Sequence, residues 1–132
     1  MSKRWSALIV LIPAVVLLSL TLGCGGDIIE SSGAIQSGDS TDPNHANLLF
    51  DAVTFQAGSM DTVIVSVDTE AFKPLLKLME NSTGAVLDEW DPEYAAEDAL
   101  VYTVALEGSY EARVYSMDGG TGEYTLTIEL LH

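Results

Sequence analysis

The chain contains one cysteine, Cys24, among 132 residues, so no disulfide can close within it. Its fold must rest on an apolar core, even in a compartment that permits disulfides. Bases are scarce as well. Lys3 and Arg4 lie at the N-terminus, and residues 24–132 hold only Lys73, Lys77 and Arg113 against all 20 acidic residues, a formal charge of −17. Such a balance argues against nucleic acid as a partner, because phosphate binding needs a positive footprint. It also disfavours adsorption to anionic lipid. Histidine is limited to His45 and His132, which leaves no set of nucleophile, base and orienting group; both read as solvated bystanders. No phosphate loop is present, since Gly119-Gly120-Thr121-Gly122 lacks a following lysine. Paired carboxylates can act as acid and base, but no spacing singles out a pair. The expectation is a protein without catalytic activity.

What is present begins with an export signal. Lys3 and Arg4 precede an almost wholly apolar run from Ala7 to Leu22, and Gly23-Cys24 follows at once. Leu20-Thr21-Leu22-Gly23-Cys24 resembles a lipobox with threonine at one usual leucine position. The reading is a lipoprotein signal peptide over residues 1–23, with Cys24 carrying acyl chains such as palmitate. An uncleaved anchor is the alternative; it needs about 20 spanning residues, and Trp5 to Gly23 barely supplies them with Pro13 inside. Gly25 stands where an aspartate commonly retains lipoproteins in the inner membrane, so an outer-membrane location is favoured if the host is Gram-negative.

Residues 24–47 are rich in Gly, Ser, Asp, Thr and Asn, with Ile28, Ile29 and Ile35 as the only large aliphatics until that stretch ends. That composition predicts a flexible tether. From residue 48 to 132 side chains alternate with a period of two between turn signals, the pattern of antiparallel strands with one buried face. Val53, Phe55 and Ala57 form one run, and Val63, Val65 and Val67 another. Leu100, Tyr102, Val104 and Leu106 share a face, followed by Tyr110, Ala112 and Val114, then Tyr124, Leu126, Ile128 and Leu130. Phe72, Leu75, Leu76 and Met79 have helical spacing, yet Pro74 opposes a helix interior; the expectation is a strand over Leu75 to Met79. About seven to eight short strands without βαβ alternation predict an all-β, antiparallel, jelly-roll-like sandwich.

The order of these segments resembles the bacterial pre-peptidase C-terminal (PPC) domain. The likeness rests on Phe55-Gln56-Ala57-Gly58, Lys73-Pro74-Leu75-Leu76-Lys77-Leu78, Gly108-Ser109-Tyr110-Glu111-Ala112-Arg113-Val114-Tyr115 and Thr121-Gly122-Glu123-Tyr124-Thr125-Leu126. It implies a non-catalytic module associated with adhesion, secretion or stability of an attached enzyme, here without an enzyme attached. Asp42-Pro43-Asn44 is similar to the stretch that takes part in calcium binding in the related clostridial collagen-binding domains. The resemblance implies calcium ligands at Asp42 and Asn44, with Asp39 and Asp51 after them. Arg113 and Tyr115, turned outward by the alternation, and Trp90 with Tyr94 in an acidic loop are the candidates for a partner-binding surface; Trp90 and Tyr94 covering a sandwich edge is the alternative. Tyr110 after Gly108 predicts a tyrosine-corner hydrogen bond. Two functions follow: an envelope lipoprotein that binds a protein or polysaccharide, or a structural accessory that stabilises an exported enzyme or envelope complex.

Overall fold

The computed structural model describes residues 26–132, all of it strands and connecting loops. The export signal and Cys24 lie outside the described residues. Nine strands follow in chain order: β1 Gly26–Ile35, β2 Ser40–Asp42, β3 Leu48–Ala57, β4 Thr62–Asp68, β5 Pro74–Glu80, β6 Val86–Trp90, β7 Leu100–Thr103, β8 Gly108–Ser116 and β9 Gly122–Leu131. They form two antiparallel sheets, a four-stranded one in the order β1-β9-β4-β7 and a five-stranded one in the order β2-β3-β8-β5-β6. The fold is an all-β sandwich, as the alternation predicts, and Leu75 to Met79 is indeed strand.

The inward positions build one core. Phe55, Val63, Val65, Leu76, Leu78, Tyr110, Ala112, Val114, Tyr124, Leu126, Ile128 and Leu130 are buried between the sheets, and each fully buried aliphatic contributes roughly 1.5–3 kcal/mol. β5 has apolar residues on both faces because both are covered: Leu76 and Leu78 face the core, while Leu75, Lys77 and Met79 are buried on the other side. The predicted corner is present, with the Tyr110 hydroxyl donating to the Leu106 carbonyl.

Three expectations need correction. Residues 24–47 are not a free tether, since residues 26–35 form β1 and pair along their whole length with β9. Its inward positions are Ile29, Ser31, Gly33 and Ile35, opposite Ile128, Leu126, Tyr124 and Gly122; two of the four are small because the large partner side chains occupy that space. Leu106 does not continue the face of Leu100, for β7 ends at Thr103 and the chain turns. The strand number is nine because β1 and β2 add two strands that composition hid.

The registers give the sandwich two distinct ends. At one lie the start of β1 and the end of β9, paired through Gly26 and Leu131, with the start of β4 and the end of β7 beside them. At the other lie the end of β1, the start of β9, the end of β4 and the loops 69–73, 91–99 and 117–121.

Candidate functional site

The cleft opens at the second end, where β2 pairs with only the first three residues of β3 and leaves the rest of that edge facing β1. It encloses about 1230 Å³ and is lined by β1, β3, the loop after β4 and the start of β9. Asp39, Asp51, Asp68, Glu70 and Glu123 face it, and its lining includes no Lys, Arg or His. At its floor the Tyr124 hydroxyl donates to Asp51 Oδ2 at 2.8 Å. Gly33 allows that approach, because a Cβ there would stand 2.8 Å from the Tyr124 oxygen. Burial, with a hydrogen bond to Asp39, pushes the Asp51 carboxyl up to about 7. With no Lys, Arg or His in the lining to compensate it, the Asp51 carboxyl keeps its proton well above the usual carboxylate range. Burial and the adjacent Asp51 charge in turn raise the Tyr124 phenol, which stays a donor.

Asp42 sits on the opposite, outer face of the five-stranded sheet. Its carboxylate accepts from the Tyr115 hydroxyl at 2.6 Å and from the Asn44 N–H at 2.9 Å, and lies 3.4 Å from Arg113 and 3.7 Å from Lys77. The Tyr115 hydrogen bond holds the Asp42 carboxyl below its usual range, the Asn44 N–H and the two cations assisting against burial. The turn that carries it places Ala46 and Asn47 in the left-handed region and folds His45 and Phe50 over Tyr115, with ring centroids 5.6 and 5.2 Å away. Arg113 stacks 4.3 Å above the Phe50 ring and binds Glu111.

These residues do not fit a calcium site. Asp42 is already neutralised by two cations and a phenol, while Asp51 faces the other side of β3, so the set Asp39, Asp42, Asn44 and Asp51 is split between two places. Among the described residues no three His, Cys, Asp or Glu side chains are arranged to hold a metal. Asp39 and Asp51 do come together, in the cleft.

The aromatic candidates separate as well. Tyr115 points outward as the alternation says, yet it is fully buried beneath residues 42–50. Trp90 packs partly against the core and donates its indole N–H to the Glu97 carbonyl at 2.8 Å, pinning the loop 91–99. Tyr94 alone is open, 82% exposed. The histidines are not bystanders: His45 lies 3.6 Å from Glu89, and His132 bridges Asp61 at 2.9 Å and Asp27 at 3.2 Å. Sequence reasoning missed the cleft because its carboxylates come from four separated segments.

No protein-family model matches the chain. No curated protein matches it either. Solved structures do. Aeromonas hydrophila PliG, a periplasmic inhibitor of g-type lysozyme, aligns with a TM-score of 0.55 at 12% identity, covering 85% of this chain and 91% of that one. A mutant of the Escherichia coli PliG aligns at 0.54 and 21%, covering 85% and 93%. The pre-peptidase C-terminal domain of the Bacillus anthracis collagenase aligns at 0.53 and 22%, covering 75% and 86%. The chain carries a PPC-like β-sandwich. At these identities the likeness is one of fold, shared by a protease appendage and by inhibitor proteins.

Proposed function

We propose that this chain is a cell-envelope lipoprotein, acylated at Cys24, whose sandwich binds a cationic protein partner in the acidic cleft without catalysing a reaction. One observation carries the reading: five carboxylates converge on a concave surface whose lining supplies no countercharge. A guanidinium or ammonium group from a partner provides that charge and displaces the proton held by Asp51. Asp39, Asp51 and Tyr124 face one another, while Asp68, Glu70 and Glu123 line the same cleft. Binding therefore strengthens as pH rises through about 7 and weakens with salt. A polysaccharide is the weaker candidate, because Tyr124 lies buried at the floor and the lining offers no exposed aromatic platform.

The fold neighbours suggest g-type lysozyme, the target named for the PliG proteins, as the first partner to try. Titration of that enzyme with the protein at pH 8 and low salt should give saturable binding and loss of lytic activity. The double variant Asp68→Lys/Glu70→Lys should weaken binding by about tenfold or more, about 1.4 kcal/mol. Binding indifferent to those substitutions and to salt would sink the cleft as the site. Co-purification of one envelope protein with both wild type and variant would favour the structural-accessory role instead.

A further inference from the structure

We infer that the end of the sandwich where β1 begins is a membrane-contact surface, seated on the interfacial layer of a zwitterionic bilayer. The inference rests on acylation of Cys24 in the reading above. Only Gly25 separates Cys24 from the first residue of β1, and two residue steps span at most about 7 Å. A lipid anchor at Cys24 therefore leaves the domain no room to stand off. Gly26 is fixed in place by its pairing with Leu131, which also pairs with Thr62, itself beside Thr103. The anchor must emerge next to the loops 58–61 and 104–107.

These loops are tied together: the Met60 N–H donates to the Val104 carbonyl at 2.9 Å, the Val104 N–H to the Asp61 carbonyl at 3.0 Å, and the Ser59 hydroxyl to the Ala105 carbonyl at 3.2 Å. On this small platform stand Met60, 66% exposed, Leu106, 67%, and Leu131, 39%. Large aliphatic side chains gathered at one tip of a heavily acidic domain mark a contact surface. The nearby acids are partly masked, since His132 bridges Asp27 and Asp61. Burying the three side chains at the headgroup boundary adds their apolar area to the membrane affinity of the acyl chains. The net charge of the domain selects a bilayer without anionic lipid. The acidic cleft, at the opposite end, then faces away from the membrane.

The test uses the acylated full-length product, purified in detergent and reconstituted into phosphatidylcholine vesicles whose acyl chains carry shallow bromine atoms. Tryptophan reporters are introduced as Leu106→Trp, as Met60→Trp and, at the far end, as Tyr94→Trp, over the common background of Trp90. Brominated lipid should quench the emission added at 106 and 60 at least about twofold more than that added at 94. Two near-end reporters guard against one of them misfolding. Equal quenching at both ends, in a chain that carries the acyl mass and floats with the vesicles, would overturn the contact surface and leave the lipoprotein reading intact. A mass spectrum without the acyl group would overturn that reading, and the inference with it.

Discussion

Asp42 closes the outer face of the five-stranded sheet because it is the countercharge for Lys77, whose side chain is nearly as buried, and for Arg113. Removing one partner of a buried pair leaves the other without compensation, which costs more than the pair itself contributes. Asp42→Ala should therefore destabilise the protein by roughly 3–5 kcal/mol. Tyr115→Phe removes one hydrogen bond to the carboxylate and should cost about 1–2 kcal/mol. Urea unfolding of the two variants checks the ranking; a Tyr115→Phe variant as unstable as Asp42→Ala would show that the phenol, not the charge pair, carries the lock. At this scale the sequence was legible in direction but not in depth. Alternation places Tyr115 and Arg113 outward correctly, as it places Tyr110 and Tyr124 inward. What it cannot report is that residues 42–50 fold back over that face, a contact made across more than seventy residues of chain. The Asp42-Pro43-Asn44 turn was visible, and its carboxylate was assigned to a cation. The cations turned out to be the protein's own side chains.

Among the elements, β1 shows why a strand can escape its composition. A strand needs hydrophobic inward positions only where its partners leave space, and opposite Tyr124 and Leu126 the space is taken, so Gly33 and Ser31 suffice. Ten backbone pairings and the buried side chain of Ile35 do the rest. Deleting residues 26–35 would expose the edge of β9 along its full length, together with Ile35's place in the core. A truncation beginning at residue 38 should therefore melt well below the chain beginning at residue 25, and should tend to associate through the open edge. Calorimetry and sedimentation check both outcomes; equal melting temperatures would mean that β1 is an appendage rather than part of the sandwich. β9 and β8 were legible because their alternation is unbroken, and their turns carry the residues that such turns require. At Gly122, φ is 142° and a Cβ would lie 2.3 Å from that of Ala71, so glycine there is a steric necessity.

For the whole molecule, Asp51 and His132 act in the same direction on stability. Asp51 has a folded pKa raised to about 7, so the native state holds a proton that the unfolded chain has lost above about 4. Stability from this group is present below the unfolded value and falls as pH rises from there through about 7. His132 is raised by its hydrogen bonds to Asp61 and then Asp27. Its contribution is likewise complete below the unfolded value near 6.5 and lost as pH rises through the folded one. The acid side is limited by Asp42, whose depressed pKa makes its contribution disappear as pH falls through the folded value. The melting temperature should therefore peak in mildly acidic solution and decline toward pH 8. Asp51→Asn should flatten that decline by roughly 1–2 kcal/mol, allowing for solvent screening of the half-open cleft. Melting curves of wild type and variant at pH 5, 6.5 and 8 check this, and a variant that keeps the full wild-type slope would place the titrating group elsewhere. A partner that supplies a cation to the cleft removes the same penalty. Binding should thus raise the melting temperature more at pH 8 than at pH 5, because at pH 8 the Asp51 carboxyl has lost its proton and has most to gain from being neutralised.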